Sequence, residues 1–287
     1  MNAIEHTYIE TNGVRLHVAQ QGPEDGELVL LLHGFPEFWY GWHHQMAALS
    51  EQGYRVWAPD QRGYNRSDKP DEVKAYDMDH LVEDVVGLIK QSGRKKVILV
   101  GHDWGGIVSW KVAEKHPELI QKMIILNAPH LSAMSKHVLE RPSQLLKSSY
   151  ILFFQLRGLP EKLFSRDNWD IASNALKGSS IEGTFSEQDM DAYRTAWSEP
   201  EAMKSMINWY RANGRNLMRS NADARISVPT YIIWGTKDQF LGKELADKSL
   251  NYCDNGKGIL LGNATHWVHH EQPEHVSKLM LDYIQEA

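Results

Sequence analysis

The sequence predicts an α/β domain with a mostly parallel central sheet, flanked by helices and interrupted by a helical insertion. Three observations carry this. Short apolar runs alternate with amphipathic stretches up to residue 128. The alternation stops at Pro129, and from there to about Ile226 the pattern is helical, with Trp, Tyr and Phe scattered through it. It resumes at Thr230 with two further strand candidates and a closing helix. Strands alternating with helices imply parallel pairing through right-handed crossovers. The expected domains are a core of residues 1–128 and 227–287, with a cap of residues 129–226 inserted in it.

The elements follow in order. Residues 8–10 and 14–18 flank Asn12-Gly13, a favoured two-residue hairpin turn. Leu28–Leu32 is a near-continuous apolar run, as expected of a strand buried on both faces. Residues 54–58, 97–100 and 123–126 are the next three strand candidates. Between the second and third, Leu81, Val82, Val85, Val86, Leu88 and Ile89 keep helical spacing, with Asp79 as the expected N-cap. Residues 107–113 read as a helix after the third strand. After the insertion come strands at 230–234 and 259–261, then a helix after Pro273. The insertion is expected over the carboxyl ends of the strands, the edge where open α/β sheets bind ligands.

The 287 residues and 42% hydrophobic content suit one large domain with a real core. A net charge of -6, without basic runs, gives no footprint for nucleic acid or a membrane surface. No apolar stretch is long enough to span a bilayer, and residues 1–10 are polar, unlike a signal peptide. The single cysteine, Cys253, cannot form an internal disulfide, which suggests a reducing, cytoplasmic setting. The sequence calls for no cofactor and no metal. The 10 Trp and 11 Tyr suit an apolar cleft as well as an ordinary core.

The chemistry concentrates at strand ends. The strand 97–100 runs into Gly101-His102-Asp103-Trp104-Gly105-Gly106 and then a helix. This is the strand–turn–helix setting of a nucleophile elbow, with Asp103 where serine is usual. Asp238 follows the strand 230–234, and His266 follows the strand 259–261, so the chain order is nucleophile, acid, base. Asp238 can orient the His266 imidazole and stabilise its cation. His269 and His270 are close rivals without the loop position, and the alternative place for the acid holds Asn127, which carries no charge. His33-Gly34-Phe35-Pro36 follows the first buried strand. Its Phe35 N–H, with that of Trp104, can form an oxyanion hole. His33 reads as a brace for the loop, while Pro36 and Trp39 are expected in the substrate pocket. A carboxylate nucleophile is ionised at neutral pH and needs no base to activate it. It attacks carbon and forms an alkyl-enzyme ester, which water activated by His266 then hydrolyses. Strained epoxides and alkyl halides both suit this chemistry.

The sequence resembles the α/β-hydrolase-fold epoxide hydrolases, bacterial members included, over nearly its whole length. The resemblance rests on His33-Gly34-Phe35-Pro36-Glu37-Phe38-Trp39-Tyr40, on Asp60-Gln61-Arg62-Gly63-Tyr64 with Ser67-Asp68-Lys69-Pro70, and on the segment around Asp103. Two further motifs lie in the insertion: Tyr150-Ile151-Leu152-Phe153-Phe154-Gln155 and Asn208-Trp209-Tyr210-Arg211. The resemblance implies that Tyr150 and Tyr210 hold the epoxide oxygen, and that the partners are a small epoxide and water, converted to a vicinal diol. It leaves room for a homodimer. Asn65, where many relatives have Gly, and Leu156-Arg157-Gly158 depart from the family pattern without touching a catalytic role. Haloalkane dehalogenases share the nucleophile, but they expect Asn where Phe35 stands. Fluoroacetate dehalogenases expect Arg where Trp104 stands. A non-catalytic ligand receptor on the same fold need not keep nucleophile, acid and base together.

Overall fold

The computed structural model describes residues 3–140, 150–217 and 225–286. Asn12 and Gly13 both take positive φ, 45° and 73°, as a two-residue hairpin turn requires. The turn pairs β1 (Glu5–Thr11) with β2 (Val14–Gln21) in antiparallel register, from Thr11 opposite Val14 to Glu5 opposite Gln20. The remaining strands are β3 (Leu28–Leu32), β4 (Arg55–Pro59), β5 (Val97–His102), β6 (Ile120–Leu126), β7 (Thr230–Gly235) and β8 (Gly256–Leu261). They form one eight-stranded sheet in the order β1-β2-β4-β3-β5-β6-β7-β8. Only the pairings made by β2 are antiparallel.

Several strands run longer than predicted, because main-chain pairing does not require apolar side chains. Gly256, Lys257 and Gly258 are exposed, yet they pair with Thr230, Tyr231 and Ile232 at the sheet edge. In β3 the side chains alternate between two cores. Leu28, Leu30 and Leu32 join one apolar cluster, and Val29 and Leu31 join the other. Helices α2 (Met78–Gln91) and α3 (Trp104–Lys115) cover the first face. Helices α1 (His43–Glu51) and α12 (Pro273–Gln285) cover the second. This two-sided burial explains why β3 reads as an unbroken apolar run.

The N-cap of α2 is Asp77, not Asp79 as the sequence suggested. The Asp77 carboxylate accepts from the His80 N–H at 3.1 Å. Asp79 lies in the first turn, where a carboxylate is favoured by the helix dipole but caps nothing.

Between β6 and β7 the described residues are helical: α4 (Leu131–Glu140), α5 (Tyr150–Phe154), α6 (Leu159–Phe164), α7 (Asp170–Gly178), α8 (Glu187–Trp197) and α9 (Ala202–Leu217). Residues 141–149 and 218–224 of the expected cap lie outside the described residues. The chain then returns through β7, α10 (Glu244–Leu250), β8 and α11 (Val268–Glu271). No described helix is long and apolar enough to cross a membrane.

Candidate active site

The parallel strands β3, β5, β6 and β7 end on the same edge of the sheet, and the candidate residues stand on the loops that leave it. Asp103 joins β5 to α3 with φ 49° and ψ -120°, a conformation costly for a non-glycine residue. The bend is held on both sides: Asp103 N–H donates to the Leu126 carbonyl at 3.3 Å, and Ile107 N–H to the Asp103 carbonyl at 2.9 Å. Crowding dictates the glycines around it. A Cβ on Gly105 would lie 2.1 Å from the Leu32 carbonyl oxygen, and one on Gly34 would lie 2.5 Å from Asp103 Cβ.

The turn after β3 brings Phe35 N–H to Asp103 Oδ1 at 2.9 Å, and the Phe35-Pro36 peptide is cis. Trp104 opens α3, where the first N–H groups have no partner within the helix. His33 does brace the loop. Its Nδ1 donates to the Gly34 carbonyl at 2.9 Å, and its Nε2 accepts from Gln61 N–H at 3.1 Å.

Asp238 and His266 meet behind the nucleophile. His266 Nδ1 lies 2.7 Å from Asp238 Oδ2, and its Nε2 lies 3.6 Å from Asp103 Oδ2. Asp238 Oδ1 accepts from the N–H groups of Phe240 and Leu241, at 2.7 and 2.9 Å. Burial alone would raise the Asp238 pKa, but the His266 charge and these hydrogen bonds bring it below the ordinary carboxylate value. Burial also opposes a charge on His266, yet the two carboxylates outweigh it and raise its pKa to about 10. The charge arrangement therefore favours an imidazolium between the two carboxylates.

Tyr150, at the start of α5, and Tyr210, within α9, line the same cavity as Asp103 and His266. Their ring centroids are 5.8 Å apart. Burial, followed by the nearby Asp103 charge, raises the pKa of Tyr150, and burial and Tyr150 itself raise that of Tyr210. Both stay protonated and can donate. The cavity, about 220 Å³, is otherwise lined mostly by apolar side chains, with Trp104, Leu131, Met134, Phe154 and Phe240 in its walls. Pro36 is among the residues that line it, and Trp39 is not. The chain turns after Phe38. The Trp39 N–H is bound by Asp60 Oδ1 at 3.0 Å, and its ring packs edge-on against His6 at 5.1 Å, on the side of the N-terminal hairpin.

Two further features hold the acid and the base in place. Asn127, noted only as uncharged, ties the acid to its strand. Its amide donates to Asp238 Oδ2 at 2.8 Å, and its oxygen accepts from Gly235 N–H at 2.9 Å. His102 and Glu37 form a buried pair beneath the base. His102 Nδ1 faces Glu37 Oε2 at 2.8 Å, and its Nε2 faces the His266 carbonyl at 2.9 Å. The ring thus links Glu37 to the main chain of the base. The rivals His269 and His270 also face Glu37, at 3.3 and 2.7 Å from Oε1, and not Asp103. Glu37, His269 and His270 are the group among the described residues spaced to hold a metal ion. In the structure their contacts are hydrogen bonds, shared with the Tyr193 hydroxyl.

An ionised carboxylate with an N–H on one oxygen, a paired imidazole and two neutral phenols can together open a strained ring and then hydrolyse an ester. Comparisons with known proteins show the family. Residues 27–273 match the α/β hydrolase fold family. The chain is 43% identical to the AB hydrolase superfamily protein YfhM of Bacillus subtilis, over 99% of both chains. It is 39% identical to Epoxide hydrolase 1 of Caenorhabditis elegans, over 96% of this chain and 70% of that one. An epoxide hydrolase of Bacillus megaterium, solved with an inhibitor, superposes with a TM-score of 0.88 at 32% identity, covering 98% of this chain and 100% of that one. The chain belongs to the epoxide hydrolases of the α/β hydrolase fold family.

Proposed function

We propose that the chain hydrolyses epoxides to vicinal diols through a covalent ester on Asp103. The observation that carries this reading is the shared cavity: two protonated phenols, Tyr150 and Tyr210, open onto the same apolar space as Asp103 and His266. An alkoxide is a poor leaving group unless a donor meets it, and a phenol is acidic enough to do so while staying protonated in the resting enzyme.

Asp103 Oδ2 attacks the epoxide carbon, the C–O bond breaks, and the oxygen takes a proton from a tyrosine. The ester removes the charge of Asp103, one of the two that hold the proton on His266. The imidazolium then gives up its proton, which restores the phenol, and His266 becomes a base. It deprotonates water, which attacks Cγ of Asp103. Charge grows on the oxygen facing the Phe35 N–H. The ester C–O bond breaks and the diol oxygen takes the acid proton, which leaves a carboxylate and an imidazolium as at the start. The inserted helices act as a cap that keeps this space apolar.

The test is a single turnover in water enriched in heavy oxygen, followed by digestion. Heavy oxygen in the peptide carrying Asp103 is the expected result. Label found in the diol alone would mean direct attack by water and would overturn the ester.

A further inference from the structure

The α8 helix meets the turn after β3 along one stripe. Asp189, Tyr193 and Trp197 are spaced four residues apart, so they stack on one face of the helix. Asp189 Oδ1 accepts from the Tyr40 hydroxyl at 2.8 Å. The Tyr193 hydroxyl donates to Glu37 Oε1 at 3.1 Å. The Trp197 indole N–H donates to the Pro36 carbonyl at 2.7 Å. Tyr193 and Trp197 are fully buried, so no water competes for the last two bonds. The pinned segment closes on itself, since Glu37 N–H donates to the Gly34 carbonyl at 3.0 Å. That turn encloses Phe35 and Pro36, and the Phe35 N–H is the donor on Asp103 Oδ1.

A turn of this kind has few fixings of its own. Pro36 has no N–H to contribute, and its carbonyl lies outside the sheet, so the indole supplies the partner that regular structure would otherwise give. We infer that Trp197 and Tyr193 are positioning residues, through which α8 holds the Phe35 N–H on Asp103 for the hydrolytic half-reaction. The inference rests on the proposed ester mechanism for its choice of step. During ring opening the attacking oxygen is the one turned toward His266, and an N–H on the other oxygen both orients the carboxylate and draws charge from it. These effects oppose each other. During hydrolysis the charge grows on the oxygen that Phe35 faces, and nothing offsets a misplaced donor.

The test uses the whole enzyme with Trp197→Phe, Tyr193→Phe and the double variant. Tyr193→Phe removes only the hydroxyl, while Trp197→Phe removes the N–H together with part of the buried indole, so the melting temperature is followed beside the kinetics. Hydrogen exchange read by mass spectrometry on the peptide spanning residues 34–38 should quicken in Trp197→Phe, with the sheet peptides unchanged. Single-turnover kinetics on an epoxide should show hydrolysis slowed about tenfold or more, ring opening unchanged, and ester accumulating. Unchanged exchange in that peptide overturns the inference. So does faster exchange with hydrolysis at the wild-type rate, and so does equal slowing of both steps with a lower melting temperature, which would mean packing alone. If the wild-type enzyme forms no ester, the epoxide mechanism and the choice of step fall together, and the exchange result alone then decides whether α8 holds the turn.

Discussion

The two halves of the site are held in different ways. Asp103, Asp238 and His266 stand on loops at strand ends, fixed by main-chain and amide hydrogen bonds. Phe240 and Leu241 N–H groups grip Asp238, Phe35 N–H grips Asp103, and the His102 ring grips the His266 carbonyl. Tyr150 and Tyr210 stand on inserted helices and sit among rings. Tyr210 meets Trp104 at 5.0 Å and Phe35 at 5.2 Å, both near a right angle, and Phe154 at 4.9 Å. The difference matches the task. The core half must keep charges in a fixed arrangement, which needs directed dipoles. The inserted half must keep two phenols neutral, and burial among apolar rings does most of that, with the Asp103 charge acting in the same direction. In the proposed mechanism Asp103 serves both steps, but the two tyrosines serve ring opening and His266 with Asp238 serves hydrolysis, so the two steps can be broken separately.

The largest effect is expected at His266. In His266→Gln the ester should still form, because ring opening needs no base, but its hydrolysis should slow by roughly 10⁴-fold or more. Intact mass after incubation with an epoxide should show the alkylated protein. A variant that stays unmodified would remove His266 from a role confined to the second step.

The opposite half should give the opposite pattern. Tyr150→Phe and Tyr210→Phe should each slow ring opening, by up to about 10²–10³-fold where the lost phenol is the main donor. The double variant should be nearly inactive. Both changes keep the ring contacts, so the melting temperature should hold. Pre-steady-state alkylation rates check this. A folded double variant that alkylates at the wild-type rate would favour a halide substrate, which needs no proton donor.

How each half was read follows from the same physics. Asp103, Asp238 and His266 stand out in the sequence because each lies in a glycine-marked loop that follows a strand, a local signal. Tyr150 and Tyr210 carry no such signal, since a tyrosine on a helical stripe looks like core. Only the resemblance to a family pointed to them. Asn127 and His102 were missed because their roles depend on partners distant in sequence: Asn127 reaches Asp238 across 111 positions, and His102 reaches Glu37 across 65. Trp39 was misplaced by nearness. It follows Pro36 closely in sequence, but the chain turns it toward His6.

Asn127 gives a finer cut within the core half. Asn127→Ala removes the amide that donates to Asp238 Oδ2, the same oxygen that faces His266 Nδ1. A hydrogen bond to a charged group is commonly worth about 1.5–3 kcal/mol. Hydrolysis should slow accordingly, by about 10- to 100-fold, with ring opening spared. Equal slowing of both steps would mean that Asn127 supports the whole strand edge and not the acid in particular.

The smallest effect is expected in the pH dependence of stability, and its sign follows from the charge arrangement. The two carboxylates raise the His266 pKa from the ordinary 6.5 to about 10 in the folded enzyme. Between those values the folded state holds a proton that the unfolded chain has released, so this group favours folding less and less as pH rises. Its contribution is complete below about 6.5 and lost as pH passes through about 10. Asp238 acts in another window. Its pKa is depressed below 3.8, so its contribution fades only as pH falls below that range. His266→Gln removes the titrating ring. The melting temperature of the wild-type enzyme should therefore exceed that of the variant by most near pH 6, and the gap should narrow steadily toward pH 10. A gap of constant size across that range would mean that His266 is neutral at rest, and that the ester step does not have to release its proton. The same proton links stability to turnover: forming the ester should lower the His266 pKa, so the hydrolysis rate should rise with pH at values where the resting enzyme still holds its imidazolium.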